Sequence, residues 1–114
     1  MHDPTEGGLI WGLRELSEVT GLGVRVDLDR IPIYEETRLL CNHFGLNPLG
    51  LIASGSLLIV VSPEDQKRVT RAIKRRRIEC TAIGVLCKGA SRFYSYGRPV
   101  RLPSITQDEI TRLL

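Results

Sequence analysis

The absences in this sequence narrow the field first. Its three cysteines, Cys41, Cys80 and Cys87, form no C-x-x-C pair and have no histidine partner at zinc spacing. Such sparse thiols exclude a disulfide framework or a zinc ribbon and fit buried free cysteines in a reducing compartment. No apolar run approaches the roughly 20 residues of a membrane span. LLIVV at 57–61 is the longest and reads as a strand covered on both faces. No basic leader precedes an apolar core at the N-terminus, so no secretory signal is expected and the cytoplasm is the expected location. There is no internal repeat or linker. No Ser-His-Asp, Cys-His or paired-carboxylate spacing supports an argument for nucleophilic or acid–base catalysis, and no metal set is visible. The formal net charge of +3 is too mild to announce a nucleic-acid binder.

What remains is an ordinary globular composition over 114 residues, enough for one domain with one modest core. Apolar spacing predicts a first helix over 5–20, with Leu9, Leu13 and Leu16 on one face and Gly21 as its stop. LGVRVDLD at 22–29 alternates as a half-buried strand, with Val24, Val26 and Leu28 inward and Arg25, Asp27 and Asp29 outward. A second helix fits 35–44, with Leu40 and Phe44 as its apolar pair and Gly45 as its end. Residues 46–55 are loop-like. Ser62 as N-cap and Pro63 at the first position start a third helix. Segments 79–87, 92–96 and 98–102 read as consecutive antiparallel strands with a Lys88-Gly89 turn, and a short helix over 107–113 closes the chain. The order implies an α/β (α+β) fold: a mixed sheet layered with helices.

The opening HDPTEGG at 2–8 carries the chemistry. Asp3, Pro4 and Glu6 have the spacing of a capping box, so a helix cap explains them without a ligand. Gly7 and Gly8 are different, because each glycine in a helix costs about 1 kcal/mol relative to alanine. Two in succession permit close backbone approach, either to another chain segment or to an anion at the helix start. Spacing alone leaves both open.

D-P-T-x-G-G-L before an amphipathic helix resembles the start of the C-terminal domain in the AIR synthase-related superfamily. That group includes AIR synthase, selenophosphate synthetase, thiamine-monophosphate kinase and the hydrogenase-maturation HypE branch, whose D-P-T-R-G-G motif is the nearest. IPIYEETRLLCNHFGLNPLGLIASGSLLIVV at 31–61 is similar to the family's helix, G-L-x-P-L and glycine before a strand. TAIGVL at 81–86 supplies an Ile83-Gly84 match. The resemblance implies a single C-terminal domain over 1–114 with partial similarity to a ferredoxin-like topology. It implies ATP and magnesium as the parent family's cofactors, held mostly by an N-terminal domain that this chain lacks. The partners expected are therefore that ATP-binding domain or a split partner, or a second copy. Carried over, Asp3, Thr5, Gly7 and Gly8 form the phosphate-facing loop, Gly55 belongs to a second loop, and the chain is not expected to be active alone. Two departures stand out. Glu6 replaces the branch's arginine and would repel phosphate, and no cysteine follows Cys87 to match the branch's modified tail.

Other residues are weighed against plainer roles. Lys67, Arg68, Arg71, Lys74 and Arg75, extended by Arg76 and Arg77, lie opposite Val69 and Ile73. Without interleaved aromatics they read as a solvated face that complements the helix dipole, with nucleic-acid binding as the alternative. Trp11 projects with Arg14, Glu15 and Glu18; it is covered by another layer of the domain or sits at an interface. His43 reads as structural and His2 as a terminal residue.

Overall fold

The computed structural model describes residues 7–51 and 56–102. The first helix, α1 (Gly8–Thr20), ends at Gly21 in a left-handed conformation (φ 69°), whose N–H donates to the Ser17 carbonyl at 2.9 Å. The Ser17 hydroxyl donates to the Leu22 carbonyl at 2.6 Å, tying the helix end to the following strand. The start differs from expectation. Gly7 (φ 78°) occupies the N-cap and Gly8 (φ 65°) follows it, both in the left-handed region that interrupts right-handed helical geometry. The helix therefore begins at Gly8 rather than residue 5, and the expected Asp3 cap lies outside the described residues. Its buried face centres on Ile10, Gly12 and Leu13, with Leu9 and Leu16 half-buried beside it.

The strand β1 (Gly23–Asp27) behaves as its alternation predicts: Val24 and Val26 are buried and Arg25 is exposed. It lies inside a four-stranded mixed sheet with β2 (Gly84–Cys87), β3 (Arg92–Ser95) and β4 (Arg98–Val100), in the order β2-β1-β3-β4. β1 runs antiparallel to β2 and parallel to β3. The expected direct pairing of β2 with β3 across Lys88-Gly89 is thus wrong, because β1 inserts between them. The two valines of β1 need cover that an edge strand lacks, whereas β2 and β4 tolerate exposed Val85 and Val100 at the edges. Residues 79–83 also stay outside the sheet. Gly84 lies opposite Val26, and a side chain there would strike the Arg25 carbonyl, so the glycine sets how closely β2 approaches.

β3 and β4 form the expected hairpin. Tyr96 (φ 50°) and Gly97 (φ 79°) make its two-residue turn with both residues left-handed, the arrangement that matches strand twist. The Asp29 carboxylate accepts the Tyr96 N–H at 3.0 Å, holding a bulky residue in a conformation it rarely adopts.

The second helix, α2 (Glu35–Phe44), keeps its predicted bounds and its Gly45 stop. Its predicted apolar pair does not hold: Leu40 and Phe44 are 59% and 50% exposed, and Cys41 is the buried residue. LLIVV departs further. It forms a single bridge at Leu58 rather than a strand, and Leu57, Ile59 and Val60 are exposed. Strand propensity depends on pairing and cover, and here only Leu58 bridges and packs against the core, while its neighbours Leu57, Ile59 and Val60 are exposed. The third helix, α3 (Gln66–Arg75), starts after Ser62 and Pro63, which precede its N-cap, Asp65. The Ser62 hydroxyl instead donates to the Asp65 carboxylate at 2.9 Å. The core joins Leu13 of α1 to Val24 and Val26 of β1 and to Ile31, so α1 covers one face of the sheet. The mixed sheet layered with helices is as expected; the predicted helix at 107–113 lies outside the described residues.

Candidate functional site

Of the predicted phosphate-facing loop, Gly7 and Gly8 are described, whereas Asp3, Thr5 and Gly55 lie outside the described residues, as does Glu6. Both glycines are buried. A Cβ on Gly8 would collide with the carbonyl oxygens of Leu49 and Leu51, which belong to and follow the short Pro48–Gly50 3-10 turn. That turn is fixed by the Asn47 side chain, which accepts the Leu49 N–H at 3.0 Å. A Cβ on Gly7 would overlap the Trp11 ring. Close packing of chain against chain is therefore sufficient to require both glycines.

The same geometry shapes the start of α1 electrostatically. Among the described residues no side chain caps it, and its first turn carries no acid. The positive end of the helix dipole is consequently not offset there by a carboxylate of the helix itself. The turn bearing G-L-x-P-L packs directly on this start, so two motifs separated by about forty residues in the sequence meet at one place. Trp11 is half-buried and folds back over Gly7, which makes it part of this corner of the domain.

The remaining candidates stay apart. The cations of α3 are exposed, with Val69 and Ile73 half-buried on the other side; among the described residues Arg68 alone of them pairs within the helix, with Asp65 at 2.8 Å. His43 is exposed and packs edge-on against Phe44, with ring centres 4.8 Å apart. Cys41 is buried, and Cys80 and Cys87 are half-buried free thiols. Among the described residues no three His, Cys, Asp or Glu side chains gather as a metal set, and no helix is long and apolar enough to cross a membrane. One grouping has no signature in the linear sequence: Arg25, Arg92 and Tyr94 meet on the outer face of the sheet. Alternation turns Arg25 outward, but only the β1–β3 pairing reveals its neighbours.

Residues 1–95 match the family described as AIR synthase related protein, C-terminal domain. The chain is 38% identical over 73 residues to carbamoyl dehydratase HypE of Rhizobium leguminosarum bv. viciae, covering 64% of this chain and 21% of that protein. It is 31% identical over 101 residues to carbamoyl dehydratase HypE of Azotobacter vinelandii, covering 87% and 30% respectively. The crystal structure of E. coli HypE superposes with a TM-score of 0.85 at 22% identity, over 98% of this chain and 36% of that one, a likeness of fold. The chain thus spans between about a fifth and a third of the length of these two relatives.

Proposed function

We propose that this chain, which belongs to the AIR synthase-related C-terminal domain family, presents the start of α1 to the phosphates of ATP or of a phosphorylated intermediate in a HypE-like enzyme. The observation that carries this reading is the left-handed Gly7-Gly8 pair heading a helix with no acid in its first turn. Backbone amides at such a start, backed by the helix dipole, stabilise phosphate charge without a charged side chain. In this reading the residues at 3 and 5 shape the loop, and the packing of Leu49 and Leu51 against Gly8 holds the amides in place.

The described residues offer magnesium no set of ligands. In this proposal any magnesium is held by the part of the enzyme outside this chain, and no step here runs through it. In this reading the chain has no turnover alone and works with an ATP-binding domain, whether fused or separate. The exposed side chains of Leu39, Leu40 and Phe44 on α2 support such a partner, since contiguous apolar surface of this kind is what a neighbouring domain covers.

The test is an amide NMR titration of the chain with pyrophosphate. Saturable shifts at Gly7, Gly8 and Leu9 are expected, with tighter binding in a Glu6→Arg variant because a repelling charge becomes an attracting one. Binding that leaves these three amides unmoved in both proteins refutes the phosphate-facing role and favours a non-catalytic interaction module.

A further inference from the structure

The outer face of the sheet carries a cluster that the core does not need. In the β1–β3 register Arg25 stands directly beside Arg92, and on the other side it faces Val85. Neighbouring strands lie about 4.8 Å apart, and like charges side by side on one face are destabilising. Arg25 lies over the Tyr94 ring, with its guanidinium carbon 5.1 Å from the ring centre. Lys88 adds a third cation just after β2. Arg25, Val85, Lys88, Arg92 and Tyr94 line one open depression of about 360 Å3, near the lower end of the roughly 300–1,000 Å3 typical of small-molecule sites.

Among the described residues no carboxylate neutralises this group. Asp27 projects on the same face two residues along β1, but none of Arg25, Lys88 and Arg92 is within ion-pair distance of a described acid. All three cations are exposed. With its guanidinium over the Tyr94 ring, Arg25 is placed to offer paired N–H hydrogen bonds to two oxygens of one anion. An anion seated between the arginines also removes the repulsion that folding imposes on them.

We propose that this depression binds the phosphoryl group of a small phosphorylated molecule, at a site separate from the start of α1. The two places lie on opposite sides of the sheet: α1 packs on the face bearing Val24 and Val26, and Arg25 points the other way. A nucleic-acid strand fits the observations less well. The cations meet at one spot rather than along a track, and the aromatic of the depression, Tyr94, already carries a guanidinium over its ring where a base would stack.

The experiment titrates the labelled chain at constant ionic strength with inorganic phosphate, glycerol 3-phosphate and a single-stranded dodecanucleotide. Expected are saturable shifts at Arg25, Lys88 and Arg92 with phosphate or glycerol 3-phosphate; tighter binding of the ester identifies a phosphorylated metabolite rather than the free ion as the ligand. Arg92→Gln and Lys88→Gln should each weaken that binding about tenfold, the loss of one charge-assisted hydrogen bond, while any shifts at Gly7 and Gly8 persist. Both changes sit at exposed positions, and preserved dispersion of the Val24 and Val26 resonances verifies the fold. Absence of saturable shifts at the three cations, affinity unchanged in both variants, or shifts with the oligonucleotide alone overturns the proposal. Because the two sites are read from different amides, failure at one leaves the result at the other intact.

Discussion

Replacing Gly8 with alanine tests the packing at the start of α1 most severely. Gly8 has φ 65°, and a new Cβ would meet the Leu49 and Leu51 carbonyl oxygens. Left-handed backbone costs a non-glycine residue about 1–2 kcal/mol. Forcing an extra carbon into packed surroundings adds about 1–3 kcal/mol, and here the obstacle is backbone that cannot swing aside. The sum, about 2–5 kcal/mol, is a large part of the roughly 5–15 kcal/mol that typically holds a domain together. With a mid-range urea slope of about 2 kcal/mol/M, the unfolding midpoint should fall by about 1–2.5 M. Gly21→Ala is the internal control. That glycine has φ 69°, but a Cβ there would meet nothing within 4 Å, so it carries only the conformational cost. Equal midpoints for the two variants would refute the steric argument. Gly8 would then be required by its backbone conformation alone, with no part played by close approach.

Three further outcomes are expected. Asp29→Ala should destabilise the β3–β4 turn by about 0.5–1.5 kcal/mol, the worth of one hydrogen bond; faster hydrogen exchange at the Tyr96 amide checks it. Thiol labelling of the native chain should modify Cys80 and Cys87 well before buried Cys41, with all three reacting in denaturant; equal rates would contradict the burial of Cys41. Phe44→Ser on the exposed face of α2 should change stability by no more than about 0.5 kcal/mol while weakening association with an ATP-binding partner, which a melting curve and a pull-down against that partner separate.

Local signals carried well where a residue's own conformation decides the outcome. Gly21 and Gly45 end their helices because each supplies the left-handed residue that a helix end uses, and Tyr96-Gly97 makes a turn for the same reason. The alternation in β1 is likewise a statement about one strand, and it holds for Val24 and Val26. What depended on neighbours was harder to read. The strand order has β1 between β2 and β3, although segments close in sequence suggested a hairpin. Leu40, Phe44 and most of the 57–61 run looked buried because their own apolarity is high, yet burial needs a second surface; Leu58 finds one in the core, whereas Leu40, Phe44, Leu57, Ile59 and Val60 stay exposed. At the start of α1, Gly7 and Gly8 admitted two physical explanations. The packing of Leu49 and Leu51 supplies one of them in full, and the proposed phosphate-facing role rests on a first turn of α1 that carries no acid. The Arg25–Arg92 pair was invisible because it is a consequence of register alone.

A chimera separates a phosphate-facing part of an ATP-dependent enzyme from an inert module. The chain would replace the matching C-terminal part of the A. vinelandii relative, and ATP turnover would be measured for the chimera, for the remainder of that relative and for this chain by itself. Turnover is expected from the chimera, and none from this chain by itself. Turnover by the isolated chain, or a folded chimera no more active than the remainder, would contradict the proposed function.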